Sequence, residues 1–223
     1  MIVDVRRRAA PRSGFKHWFA GLVLRLGGWT MGGAPPAVPK MVVVAAPHTV
    51  LRDGFWMVAF AWWWGIRLQW VVKSDLSGGP VGWFLRQVGA VPVQRSAPQG
   101  QVTLLAKEIS RAAEIVLSIA PEGTRARRDV WKSGFYHIAR EAKVPICLSY
   151  LDYGRSEAGF GPCFMPSGDI RADMDIVREF YQGVQARHPE LFTPPRLREE
   201  DELPAAVPPP APRAEAPRAA STM

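Results

Sequence analysis

AAPHTVLRDGFW (residues 45–56) follows the apolar run Met41-Val42-Val43-Val44. The run is short, rich in β-branched residues and bounded by Pro39 and Pro47, which reads as a buried strand. From Asp53 to about Gly65 the chain reads as a helix. The stretch is therefore a strand-to-helix joint, the repeating unit of an α/β fold. It drops His48, Arg52 and Asp53 between two hydrophobic segments. His48 falls at the C-terminal end of the strand, the edge where open α/β sheets bind ligands. Asp53 follows by about one helical turn and can fold back onto the imidazole. A carboxylate on one ring nitrogen fixes the tautomer and leaves the other nitrogen free to accept a proton. Taken alone, a helix cap and an incidental histidine account for the same pair.

Working outward, residues 13–30 read as an amphipathic helix, with Phe15, Trp18, Phe19, Leu22, Val23 and Leu26 at helical spacing and Gly27-Gly28 at its end. Further strands are predicted over 67–72, 114–119 and 145–150, and helices over 81–88, 101–113, 134–142 and 174–187. Residues 89–95 read as a loop or strand. Alternating strands and helices predict a single α/β domain with a largely parallel central sheet flanked by helices. The expected organisation is an amphipathic N-terminal region (1–34), a central domain (35–198) and a tail (199–223). From Pro204 that tail is mostly Pro, Ala, Arg and Glu, a composition that cannot bury enough apolar surface to order itself.

The chain of 223 residues carries a net charge of +8. Its last 25 residues hold five acids and two arginines, so residues 1–198 carry +11. Such a body implies an anionic partner: nucleic acid, anionic lipid or a phosphorylated substrate. Cys147 and Cys163 provide neither a disulfide framework nor a zinc site. Cys147, in an apolar run, is expected to be a buried thiol in a reducing compartment. No stretch reaches the ~18–20 uninterrupted apolar residues of a spanning helix. The nearest, residues 54–66, contains three of the nine tryptophans in succession.

Two more polar clusters follow. Residues 115–120 read as a strand and deliver Pro121-Glu122-Gly123-Thr124-Arg125 to a sheet edge, with Arg127, Arg128 and Lys132 nearby. Gly123 permits close backbone approach, and an arginine such as Arg125 binds phosphate through paired hydrogen bonds. Gly89-Ala90-Val91-Pro92-Val93-Gln94-Arg95 reads as a tight turn into a strand ending on an arginine.

His48-x4-Asp53, the Gly89–Arg95 segment, Pro121-Glu122-Gly123-Thr124-Arg125 and Val144-Pro145-Ile146 resemble, in order and spacing, the four blocks of the phospholipid/glycerol acyltransferase family. Lys73-Ser74-Asp75-Leu76 and Lys132-Ser133-Gly134-Phe135 resemble its connecting segments, and the small bacterial members are the nearest likeness. The chain departs from the family at Pro47, Val50 and Ala120 while keeping His48, Asp53, Glu122 and Arg125. The resemblance implies a glycerol-3-phosphate acyltransferase-like fold. It also implies transfer of a fatty acyl group from acyl-CoA or acyl carrier protein to a lysophospholipid hydroxyl, with 1-acylglycerol-3-phosphate giving phosphatidate. His48 would be the general base, oriented by Asp53. Arg95 and Arg125 would hold the acceptor phosphate, Glu122 a substrate hydroxyl, and Gly123 and Thr124 the pocket's shape. Neither metal nor cofactor is implied beyond the acyl-thioester donor.

A lipid product requires access to a bilayer. The basic body, the helix over 13–30 and the tryptophans Trp62-Trp63-Trp64 predict peripheral, monotopic association with an anionic membrane, on its cytoplasmic face, or a cytoplasmic protein. Two other readings stand beside this one. The same chemistry can serve another lipid or non-lipid alcohol. Alternatively, the basic body is a non-catalytic module for nucleic acid or anionic surfaces, which leaves His48, Asp53 and Glu122 without a role; no nucleic-acid partner is expected.

Overall fold

The computed structural model describes residues 2, 14–74, 78–93 and 98–202. Its centre is a seven-stranded sheet of β1 (Thr30–Met31), β2 (Lys40–Ala45), β3 (Leu68–Lys73), β4 (Ala90–Val93), β5 (Ile115–Ile119), β6 (Ile146–Asp152) and β7 (Glu157–Phe164). The spatial order is β1-β7-β6-β2-β5-β3-β4. β6, β2, β5, β3 and β4 run parallel, and β7 returns antiparallel to β6. The predicted α/β domain with a largely parallel sheet is the observed one.

β2 lies at the centre, and its side chains alternate between the faces. Val42 and Val44 enter a core with Leu117 and Leu148, covered by α4 (Pro98–Arg111), α5 (Gly134–Ala142) and α6 (Ile170–Tyr181). Met41 and Val43 face the other side, against Ala61 of α2 (Arg52–Trp63) and Ile66. α1 (Phe15–Leu26) lies over α2, and α3 (Gly79–Gln87) precedes β4. α1 approaches closely because Gly21 faces the Trp63 ring and Gly27 the Trp56 ring. The His17 imidazole stacks on Trp63 with centroids 4.2 Å apart.

Several expectations are corrected. β1 and β7 were not anticipated. The late helix begins four residues earlier than predicted, because Asp169 caps it by accepting the Ala172 N–H at 3.1 Å. It ends at Tyr181, ahead of Gly183. Cys147 is not a free thiol: β6 and β7 bring it opposite Cys163, and the two form a disulfide. Residues 199–202, placed in the tail from the sequence, form a helix. α7 (Glu199–Glu202) is tied back by Glu200 to Arg178 at 2.7 Å and by Asp201 to Arg196 at 2.7 Å. The rest of the tail, from Leu203, lies outside the described residues. Among the described residues, no helix is long and apolar enough to cross a membrane.

Candidate active site

The parallel strands β2, β5 and β6 end on one edge of the sheet, and each delivers polar groups there. Tyr181 of α6 fastens that edge from below, its hydroxyl donating to Ser149 O at 2.7 Å and contacting Val44 O at 3.1 Å. The Ser149 hydroxyl also donates to Val44 O, at 3.0 Å.

His48 leaves the end of β2 after a cis Ala46-Pro47 peptide bond. The chain turns through residues 49–51 into α2, and Asp53 in the first turn of α2 reaches back. Asp53 Oδ2 lies 3.3 Å from His48 Nδ1 and accepts the N–H groups of Thr49 and Val50, each at 2.9 Å. The carboxylate therefore lies beside the histidine and ties down the turn before α2; it does not cap the helix, which has no side-chain cap. Asp53 is buried, while the His48 side chain is 29% exposed. Burial on its own would raise the Asp53 pKa. The hydrogen bonds from His48, Tyr153 and Val50, with the nearby imidazole, outweigh it and hold the carboxyl below its ordinary value.

Tyr153, just past β6, completes the set: its hydroxyl donates to Asp53 Oδ1 at 2.5 Å. Sequence reasoning missed this residue. It stands a hundred positions from Asp53 in a segment without a motif, and only the β6–β2 pairing brings it to the edge.

Glu122, after β5, does not face open space as a substrate ligand would. It is 3% exposed, and its Oε2 accepts the His48 N–H at 2.8 Å. Its Oε1 is buried, with the Thr193 backbone close enough to act on the carboxyl. Burial pushes the carboxyl up to about 8, assisted by the Asp53 charge and opposed by the backbone hydrogen bonds of His48 and Thr193. Gly123 has φ 64°, the left-handed region, and an added Cβ would meet the Lys132 chain at 2.8 Å. Thr124 Oγ1 accepts the Ala126 N–H at 3.3 Å, and Arg125 is exposed. Arg95 lies outside the described residues.

Two cavities meet at His48. One, of about 160 Å³, runs beneath the imidazole between the sheet and α2, lined by apolar groups including Met57, Phe60, Trp64 and Leu68. The other, a groove of about 490 Å³, is lined mostly by apolar side chains such as Trp70, Val72, Leu105 and Ile138, together with Gly123, Thr124, Arg125 and Lys132. Glu122 lines neither. A histidine whose Nδ1 faces a buried carboxylate, set between an apolar pocket and a groove bearing cations, can take a proton from an alcohol in the groove.

No curated protein matches the chain significantly. The crystal structure of the 1-acyl-sn-glycerophosphate (LPA) acyltransferase PlsC from Thermotoga maritima is similar in fold, with a TM-score of 0.50 at 15% identity over 77% of this chain and 80% of that one. The Acyltransferase family matches residues 35–148, just over half of the chain and the span that holds His48, Asp53 and Glu122-Gly123-Thr124-Arg125. The chain belongs to the acyltransferase family.

Proposed function

We propose that this protein transfers a fatty acyl group from an acyl thioester, on CoA or acyl carrier protein, to the hydroxyl of a lysophospholipid, 1-acylglycerol-3-phosphate giving phosphatidate. The observation that carries the reading is the position of His48 where the apolar cavity meets the groove of Thr124, Arg125 and Lys132. The cavity suits an acyl chain, and Arg125 and Lys132 in the otherwise largely apolar groove suit a phosphate.

An alcohol is a weak nucleophile at neutral pH because so little of it is ionised. With its Nδ1 toward Asp53, neutral His48 presents Nε2 to the acceptor hydroxyl. As the oxygen attacks the thioester carbonyl, its proton passes to Nε2, and Asp53 stabilises the imidazolium. The C–S bond then breaks, and the thiolate leaves with that proton as the new ester remains. No acyl-enzyme is needed, since the acceptor hydroxyl itself attacks the thioester.

Arg125, and Arg95 with it, hold the acceptor phosphate in this reading, while Thr124 and Gly123 shape the groove. Glu122 takes a different role from the one the family resemblance implied. It holds the loop of His48 through the backbone.

The membrane contact is the outer face of α1. Phe15, Trp18 and Leu26 are 75%, 62% and 79% exposed, beside Lys16 and Arg25. Basic helices bearing such aromatic faces bind anionic bilayer surfaces. Incubation with acyl-CoA and lysophosphatidate tests the reaction: phosphatidate and free CoA should appear together, and their absence across acyl-CoA and acyl carrier protein donors contradicts it.

A further inference from the structure

We infer that Tyr153 is a positioning residue for the base: through its hydroxyl bond to Asp53 it fixes the carboxylate against His48 and weakens its pull on the imidazole proton. The inference rests on the acyl-transfer reading of the His48–Asp53 pair.

The geometry leaves Asp53 little freedom. Oδ2 is committed to His48 Nδ1 at 3.3 Å and to the Thr49 and Val50 N–H groups. Oδ1 receives the Tyr153 hydroxyl at 2.5 Å. Rotating the carboxylate would break these bonds together. The tyrosine is itself held in place. Its ring meets Trp29 edge-on with centroids 5.1 Å apart, and the Arg52 guanidinium sits 5.7 Å from its centroid. Trp29 belongs to the cluster that packs Leu24 of α1 against Phe60 of α2, so the base is braced against that helix pair.

Burial, the hydrogen bond to Asp53 and the Asp53 charge hold the Tyr153 hydroxyl well above its ordinary pKa. It therefore remains a donor wherever the enzyme works. The charged and titratable groups around the pair are Arg52 on α2, Glu122 after β5 and Tyr153 after β6. Tyr153 also lies outside the 35–148 family match, so it does not come with the family's motifs.

A hydrogen bond to one oxygen draws negative charge away from the other. Removing it strengthens the attraction between Asp53 and a protonated His48, and the imidazole holds its proton to higher pH. A tyrosine that served only packing would leave that balance unchanged.

The test measures acyl transfer from acyl-CoA to lysophosphatidate across pH, using the full chain as wild type, Tyr153→Phe and His48→Ala. For Tyr153→Phe, kcat should fall about tenfold with KM little changed, and the acid limb should move to higher pH. The His48 ring resonance in NMR should titrate at correspondingly higher pH. Wild-type kcat together with an unmoved limb and an unmoved His48 titration overturns the inference. Should Tyr153→Phe unfold, 3-fluorotyrosine at Tyr153 keeps the shape and donates more strongly. The limb and titration must then move to lower pH, and no movement overturns the inference. Full activity in His48→Ala, or none in wild type, instead overturns the acyl-transfer reading. The NMR titration still decides whether Tyr153 tunes His48.

Discussion

At the level of single residues, three carboxylate contacts organise the site. Asp53 binds His48, Glu122 binds the backbone of the same residue, and Tyr153 binds Asp53. Asp53→Asn keeps the volume but removes the charge that stabilises an imidazolium, and can leave the wrong tautomer. A loss of about 10⁴-fold in kcat, as in serine hydrolases, is expected with little change in melting temperature.

Glu122 makes a separate prediction about stability. Its folded pKa is raised from the ordinary 4.5 to about 8. Below 4.5 both folded and unfolded states hold the proton. As pH rises toward 8, the unfolded chain releases it first, so the folded state loses stability over that window and levels off above it. Glu122→Gln can still accept the His48 N–H through its amide oxygen. Its melting temperature should decline less between pH 5 and 8 than the wild type's, as followed by circular dichroism. An equal decline in both proteins contradicts the protonated carboxyl.

The pairing of His48 with Asp53 was legible because the two sit within a few positions of one another and in a recognisable order. Tyr153 was not, because strand order is invisible in a single sequence. The burial of Glu122 was hidden for the same reason: a motif places it at an edge but does not say which way the side chain turns.

At the level of elements, α5 and the strands β3 and β5 were the most readable parts, each falling within one residue of its predicted bounds. β7 was missed for a physical reason. It contains Gly159, Gly161 and Pro162, residues that disfavour strands. The structure uses each of them. A Cβ on Gly159 would meet the Gly33 backbone at 2.6 Å, and one on Gly161 would strike the Phe180 ring. Pro162 falls at the register shift between the Cys147–Cys163 and Ser149–Phe160 pairs, where the β6–β7 ladder is interrupted. With β7 unseen, the partner of Cys147 was unseen too.

α1 and α2 are keyed by the same device. A Cβ on Gly21 would lie 2.6 Å from the Trp63 ring. Gly21→Leu is expected to cost about 1–3 kcal/mol through overpacking, measured by urea denaturation. A neutral substitution would mean that α1 does not pack on α2 as described. At the start of α6, Asp169→Ala should cost about 1 kcal/mol by removing the cap.

At the level of the whole molecule, the disulfide joins β6 to β7 beneath a face whose outermost layer is α1. The basic body and the exposed aromatics of α1 meet the requirements of an anionic bilayer together. Trp18→Glu combined with Leu26→Glu alters two exposed positions and should leave the circular dichroism spectrum intact. It should also weaken sedimentation with phosphatidylglycerol-containing vesicles. Unchanged vesicle binding would contradict a membrane contact through α1. Binding should fall as salt rises, because exposed charges are screened.

The central claim is that His48, held by Asp53 between the apolar cavity and the groove that carries Arg125 and Lys132, removes the acceptor's proton. The direct measurement is the rate of phosphatidate formation from acyl-CoA and lysophosphatidate by the wild type and by His48→Ala, with melting temperatures alongside. The account predicts a loss of at least ~10²–10⁴-fold in a variant that remains folded. Retention of near wild-type rate in folded His48→Ala would contradict it.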